Sequence, residues 1–91
     1  MKQRGHFTIR GRVQGVCYRM YARDRAEELG LAGWIRNRSD GSVEVVAEGE
    51  ESAIVAFRDW CRVGPPLAVV TDVRDAYAEP TGEFRAFDIT F

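Results

Sequence analysis

Apolar and polar positions alternate from His6 to Val13. Phe7, Ile9, Gly11 and Val13 fall on one face and His6, Thr8, Arg10 and Arg12 on the other, which predicts a strand with one buried side. Past a glycine bend the period lengthens. Tyr18, Ala22, Ala26 and Leu29 recur at helical spacing, Arg23, Asp24, Glu27 and Glu28 fill the remaining positions, and Gly30 supplies a stop signal. Period-two patterning returns over Ala32–Arg38 and again at Val43, Val45 and Ala47, where Glu44, Val46 and Glu48 take the outward positions. Ser39-Asp40-Gly41-Ser42 between these strands has hairpin-turn chemistry. Glu50 and Glu51 suit the preference of a first helical turn for negative charge. Ile54, Phe57 and Cys61, with Ala53 and Trp60 beside them, form the stripe of a second helix that Gly64-Pro65-Pro66 ends. Val69–Tyr77 predicts a fourth strand, Glu79-Pro80-Thr81-Gly82 a loop, and Phe84–Phe91 a final strand carrying Phe87, Ile89 and Phe91. The polar start, Met1 to His6, is expected to fray.

This order is strand, helix, strand, strand, helix, strand, plus a terminal strand. It predicts a ferredoxin-like α+β sandwich in which two helices pack on one face of a mostly antiparallel sheet of four to five strands. Ninety-one residues suffice for one core, so residues 1–91 are expected to form a single domain. A monomer is expected, although length does not fix the oligomeric state. No apolar run is long enough to span a bilayer, and no signal-peptide pattern is present, so a membrane association is not expected. Cys17 and Cys61 form no C-x-x-C pair, which fits free thiols and a cytoplasmic location better than a disulfide framework.

The formal net charge of −1 conceals an asymmetry. Residues 1–38 hold nine Lys/Arg and three acids, a net +6, whereas residues 39–91 hold four arginines and eleven acids, a net −7. A focused positive region on a near-neutral protein suits capture and release of a small anion.

The positive half contains Gly11-Arg12-Val13-Gln14-Gly15-Val16-Cys17-Tyr18-Arg19, a strand that runs through a glycine bend into a helix start. Glycine lets consecutive backbone N–H groups turn toward one point, and the helix start adds its own unpaired N–H groups and the positive end of its dipole. Arg19 adds a planar fork that can hold two phosphate oxygens. Gly15, Val16, Cys17, Tyr18 and Arg19 are the candidate phosphate-binding loop. Asn37 shares the face of Ile35, which turns a carboxamide inward at a strand end, where it can border a solvated pocket and aim a water molecule. A turn-forming role beside Ser39-Asp40-Gly41 is the simpler alternative for it.

Cys17 precedes Arg19 by too little to form the loop that cysteine phosphatases wrap around phosphate, so a thiol packed partly beneath the bend is expected. With His6 the only histidine and no paired cysteines or acidic cluster, no metal is expected. The G-x-x-x-x-G-K-[ST] loop is absent, which removes support for nucleotide triphosphate hydrolysis. Trp34 and Trp60 read as packing residues. An RNA-recognition sheet needs exposed aromatics on its central strands; Thr8, Arg10, Arg12, Glu44, Val46 and Glu48 supply none, so no nucleic-acid partner is expected. A non-catalytic anion sensor would use the same cradle and is separated from an enzyme only by turnover.

Two segments resemble the acylphosphatase family: Gly11 to Arg19, and Gly33-Trp34-Ile35-Arg36-Asn37 followed by Arg38-Ser39-Asp40-Gly41. The similarity extends over essentially the whole chain. Cys17-Tyr18 stands where many members have two aromatics, and Arg38 where some have threonine. The resemblance implies hydrolysis of the carboxyl–phosphate bond of a small acyl phosphate to a carboxylate and inorganic phosphate, with no metal, no other cofactor and no phosphoenzyme. It also implies that Arg19, with the backbone N–H groups of Gly15 to Arg19, grips the phosphoryl oxygens and that Asn37 orients the attacking water.

Overall fold

Phe7 and Ile9 on the first strand, Ile35 on the second and Val43, Val45 and Ala47 on the third all bury one face of a sheet, as their alternation requires. The computed structural model describes all residues, Met1–Phe91. Its elements are β1 (Lys2–Arg12), α1 (Tyr18–Glu28), β2 (Ala32–Asn37), β3 (Val43–Glu50), α2 (Glu51–Val63), β4 (Val69–Ala78) and β5 (Phe87–Ile89). The strand order is β4-β1-β3-β2-β5, antiparallel throughout except that β5 runs parallel to β2. Both helices cover the same face, which gives the ferredoxin-like α+β architecture that the element order predicts.

The helices bury different amounts. α1 sends in only Tyr18 at its start and two small residues, Ala22 and Ala26, that bring the rest of its backbone near the sheet. α2 contributes Ile54, Phe57 and Cys61. Phe57 is the aromatic hub, with ring centroids 6.3 Å from Phe7, 5.8 Å from Phe87 and 6.2 Å from Trp60. Burial of each such large apolar side chain contributes about 1.5–3 kcal/mol. No helix is long and apolar enough to cross a membrane.

Three expectations are corrected. The polar start does not fray: Lys2 through Gly5 pair with Glu50 through Ala47. The ladder is made by backbone groups, which need partners wherever β3 continues, whatever the side chains. Second, the face away from the helices is not open at this end. Glu48 and Val46 are buried, because the chain from β4 to β5 must cross from one edge of the sheet to the other. Glu48 holds that crossing, accepting hydrogen bonds from the N–H groups of Thr81 (2.8 Å) and Gly82 (3.0 Å), from the Thr81 hydroxyl (3.0 Å) and from Arg4 (3.0 Å). Third, the crossing consumes residues that periodicity assigns to the last strand, so only Phe87–Ile89 of Phe84–Phe91 pair.

Candidate active site

The strand-to-helix passage between β1 and α1 is shaped by two left-handed residues. Gly15 has φ 75°, with open space where a side chain would stand, and Cys17 has φ 61°, the one non-glycine residue with positive φ. Cys17 is the N-cap of α1, and no side chain caps this helix. The first intrahelical bond runs from the Tyr21 N–H to the Cys17 carbonyl (3.2 Å), and the N–H groups of Gly15 to Met20 meet no acceptor in the protein. The helix start is therefore a row of unsatisfied donors at the positive end of a dipole.

The loop is anchored from below. Tyr18 is buried, and its hydroxyl donates to the carbonyl of Cys61 in the last turn of α2 (2.7 Å), while its ring packs 5.5 Å from Trp60. Burial pushes the Tyr18 hydroxyl well above its ordinary pKa and the Cys61 thiol up to about 12, so both remain neutral packing groups at physiological pH. With Tyr18 fixed, Arg19 emerges beside a cleft of about 340 Å³, whose walls include Gly15, Cys17, Tyr18, Arg19 and Asn37, with Val13, Met20, Ile89 and Phe91 as its apolar part. The Arg19 guanidinium has no carboxylate partner and stacks 5.6 Å from the Phe91 ring centroid.

Asn37 closes the cleft from the sheet. It is the last residue of β2, opposite Val43, so strand parity turns its side chain to the helix-covered face, as Ile35 predicts. Its Oδ1 is the one buried side-chain polar atom that meets no hydrogen-bond partner within the protein. Leaving such an acceptor unsatisfied costs about 1–3 kcal/mol, so its retention in the wall of a cleft calls for a partner that enters from solvent.

The candidate set thus assembles with two changes. Gly15, Cys17, Tyr18, Arg19 and Asn37 share one cleft, but the Val16 side chain is buried in the core and leaves only its backbone to the loop. Cys17 is exposed rather than packed beneath the bend, because a left-handed N-cap swings its side chain away from the core. Gly11 also has a different task from Gly15. At φ 123° it sits where β1 shifts register against β4, and a Cβ there would lie 2.1 Å from the Val69 carbonyl oxygen.

Sequence patterning passed over three contributors. Ile89 and Phe91 were legible as strand residues but not as walls of the cleft. Gln14, one residue before the loop, donates through Nε2 to the carbonyls of Arg38 (2.8 Å) and Ser42 (2.9 Å) in the β2–β3 turn. No group of three or more His, Cys, Asp or Glu residues has the arrangement to hold a metal ion.

Comparison with known proteins places the fold and the family. The acylphosphatase family profile matches residues 5–89. The chain is 53% identical over 89 residues to the acylphosphatase of Methylococcus capsulatus, covering 96% of this chain and 95% of that one. It is 46% identical over 90 residues to the acylphosphatase of Pelotomaculum thermopropionicum, covering 99% and 98%. The crystal structure of Bacillus subtilis acylphosphatase superposes with a TM-score of 0.94 at 36% identity, covering the whole of both chains. With fold, motifs and full-length similarity in agreement, this chain belongs to the acylphosphatase family of hydrolases.

Proposed function

We propose that this protein hydrolyses the carboxyl–phosphate bond of small acyl phosphates without a metal ion, by in-line attack of a positioned water on a phosphoryl group held by Arg19 and the Gly15–Arg19 loop. The observation that carries this reading is the unpartnered buried Oδ1 of Asn37 in the same cleft as the unpaired Arg19 guanidinium and the uncapped start of α1.

Phosphoryl transfer spreads charge over three equatorial oxygens, so positioning and electrostatics do most of the work. The Arg19 fork takes two of those oxygens, and the N–H groups of Gly15, Val16, Cys17, Tyr18 and Arg19 face the developing charge. Because the donors are already aimed, little reorganisation is needed during reaction. Asn37 Oδ1 accepts a hydrogen from the water and leaves an oxygen lone pair directed at phosphorus. The water oxygen bonds to phosphorus as the acyl C–O–P linkage breaks on the phosphorus side, and the bonding pair departs with the carboxylate. A phosphoryl oxygen takes the water proton, and the products are a carboxylate and inorganic phosphate. A carboxylate is a stable leaving group, so neither a strong general acid nor a metal is required. The cleft is complete within one chain, which fits a monomer acting on a small molecule and calls for no nucleic-acid or membrane partner.

The test is hydrolysis of benzoyl phosphate by the chelator-treated protein. Turnover that is undiminished by the chelator is expected. Folded protein that binds inorganic phosphate but hydrolyses no acyl phosphate would overturn the reading, and turnover abolished by chelation and restored by a divalent cation would overturn its metal independence.

A further inference from the structure

We infer that Gln14 is a positioning residue for this hydrolysis: its carboxamide clamps the β2–β3 turn to the β1–α1 bend and sets where Asn37 stands relative to Arg19. The inference rests on the water-orienting role proposed for Asn37. Both hydrogens of the Gln14 amide are used, one on the Arg38 carbonyl (2.8 Å) and one on the Ser42 carbonyl (2.9 Å). Since both partners are pure acceptors, the orientation of the amide is forced.

The two carbonyls belong to the first and last residues of a turn that is already closed on itself. The Arg38 N–H donates to the Ser42 carbonyl (2.8 Å), and the Gly41 N–H donates to the Arg38 carbonyl (3.1 Å). Asp40 Oδ1 accepts from both the N–H and the hydroxyl of Ser42 (2.9 and 2.6 Å). The turn therefore moves as a unit, and Asn37 is the residue at its base, at the last rung of the β2–β3 ladder. One side chain of β1 also reaches this turn: Arg10, 3.6 Å from Asp40, in an exposed ion pair of the kind that contributes little. Gln14 is thus the geometrically strict link between the element carrying Asn37 and the bend carrying Arg19. Misplacing a reacting group by about 1 Å can cost about 100-fold in rate, so a partial shift of Asn37 falls within kinetic reach.

The experiment measures kcat and KM for benzoyl phosphate, the inhibition constant of inorganic phosphate and the melting temperature. The variants are Gln14→Ala, Gln14→Glu, Asn37→Ala and the double variant Gln14→Ala/Asn37→Ala. Gln14→Ala is expected to lower kcat about tenfold, with KM and the phosphate constant within about twofold. Gln14→Glu keeps the shape but turns a carboxylate toward two carbonyls, so its loss is at least as large; it carries the same measurements if Gln14→Ala does not fold. In the Asn37→Ala background the further cost of Gln14→Ala is expected to be under about twofold, since the residue through which it acts is gone. Three results overturn the inference: full kcat in Gln14→Ala, the full penalty persisting without Asn37, or KM and the phosphate constant worsening in step with kcat. A wild-type kcat in Asn37→Ala identifies failure of the parent reading instead, and the role of Gln14 falls with it.

Discussion

The fold contains two strand-to-helix junctions, and they lie at opposite ends of the sheet because β1 and β3 are antiparallel. At the first, five residues separate β1 from α1, the N-cap is a left-handed cysteine, no acidic residue stands in the first turn and the N–H groups are free. At the second, α2 follows β3 with no intervening residue. Its N-cap Glu50 is extended at φ −59°, Glu51 places a carboxylate in the first turn, the Met1 carbonyl accepts the Glu51 N–H (2.9 Å) and the Met1 amine sits 3.2 Å from Glu50. Both helices present the same dipole end. One carries a carboxylate of its own in the first turn, whereas the other carries none and keeps its N–H groups free. The charge asymmetry along the chain has this physical content: acids finish the closed end, and Arg19 with unpaired N–H groups furnishes the open one.

Removing the open end's charge is the most severe test of that contrast. Arg19→Ala is expected to lower kcat/KM by about 100- to 1,000-fold or more and to weaken phosphate inhibition, because it deletes a charged donor aimed at both bound and transition states. Steady-state kinetics with benzoyl phosphate and phosphate titration check this. Asn37→Ala ranks next. It should lower kcat about 10- to 100-fold while KM stays within about threefold, the pattern of an interaction made in the transition state. A raised KM with intact kcat would instead make Asn37 a binding residue, and the open end would then be an anion site without a water site.

The open end was more legible in the sequence than the closed one, for physical reasons. Gly15, Arg19 and Asn37 announce themselves through local chemistry: a glycine that bends, a helix start, and the parity of a strand-terminal amide with Ile35. Gly11 looked like part of the same bend, yet its small size answers β4, some sixty residues later in the chain, through a close backbone approach that no local pattern encodes. Gln14 bonds two carbonyls, and a carbonyl carries no residue-type signal. Glu48 alternates like any outward strand residue, and its burial follows from where residues 79–83 cross. Local periodicity identifies elements and their faces, whereas contacts made across the sheet become visible only once the strands are ordered.

Glu48 makes the closed end sensitive to acid. Burial alone would raise its carboxyl, but hydrogen bonds from the Thr81 and Gly82 N–H groups and from Arg4 outweigh it and hold the pKa below the ordinary value of 4.5. A carboxyl depressed on folding contributes stability that is fully present above its unfolded pKa and is lost as pH falls through the folded one. Melting temperature is therefore expected to hold near neutrality and to fall below pH about 4.5. Glu44 and Asp40, also depressed by their hydrogen-bond partners, add to the slope. Glu48→Gln should cost about 2 kcal/mol at pH 7, since its amide group turns donors toward donors, and should flatten the acid slope. An unchanged slope in urea melts of that variant would assign the acid sensitivity to the other carboxylates.

The smallest effects sharpen the contrast most, because one substitution is read at both N-caps. Glu50, at φ −59° and ψ 141°, has the extended conformation from which a short hydroxyl reaches the N–H groups of the first turn, so Glu50→Ser should gain a cap worth about 0.5–1 kcal/mol. The ion pair it gives up with the Met1 amine is exposed and contributes little. Cys17, at φ 61° and ψ 24°, is left-handed, and from there a serine hydroxyl is not aimed at those groups; Cys17→Ser should leave stability within about 0.3 kcal/mol. Cys17→Gly removes the steric cost of that conformation, about 1–2 kcal/mol, against about 0.4–1 kcal/mol of added unfolded-state entropy, and should stabilise by about 0.5 kcal/mol. Cys17→Val, β-branched at positive φ, should destabilise by more than about 1 kcal/mol. Chemical denaturation of the four variants orders them. If Cys17→Ser stabilised as much as Glu50→Ser, the first junction would be an ordinary N-cap, and its free N–H groups would owe nothing to the left-handed turn that precedes Arg19.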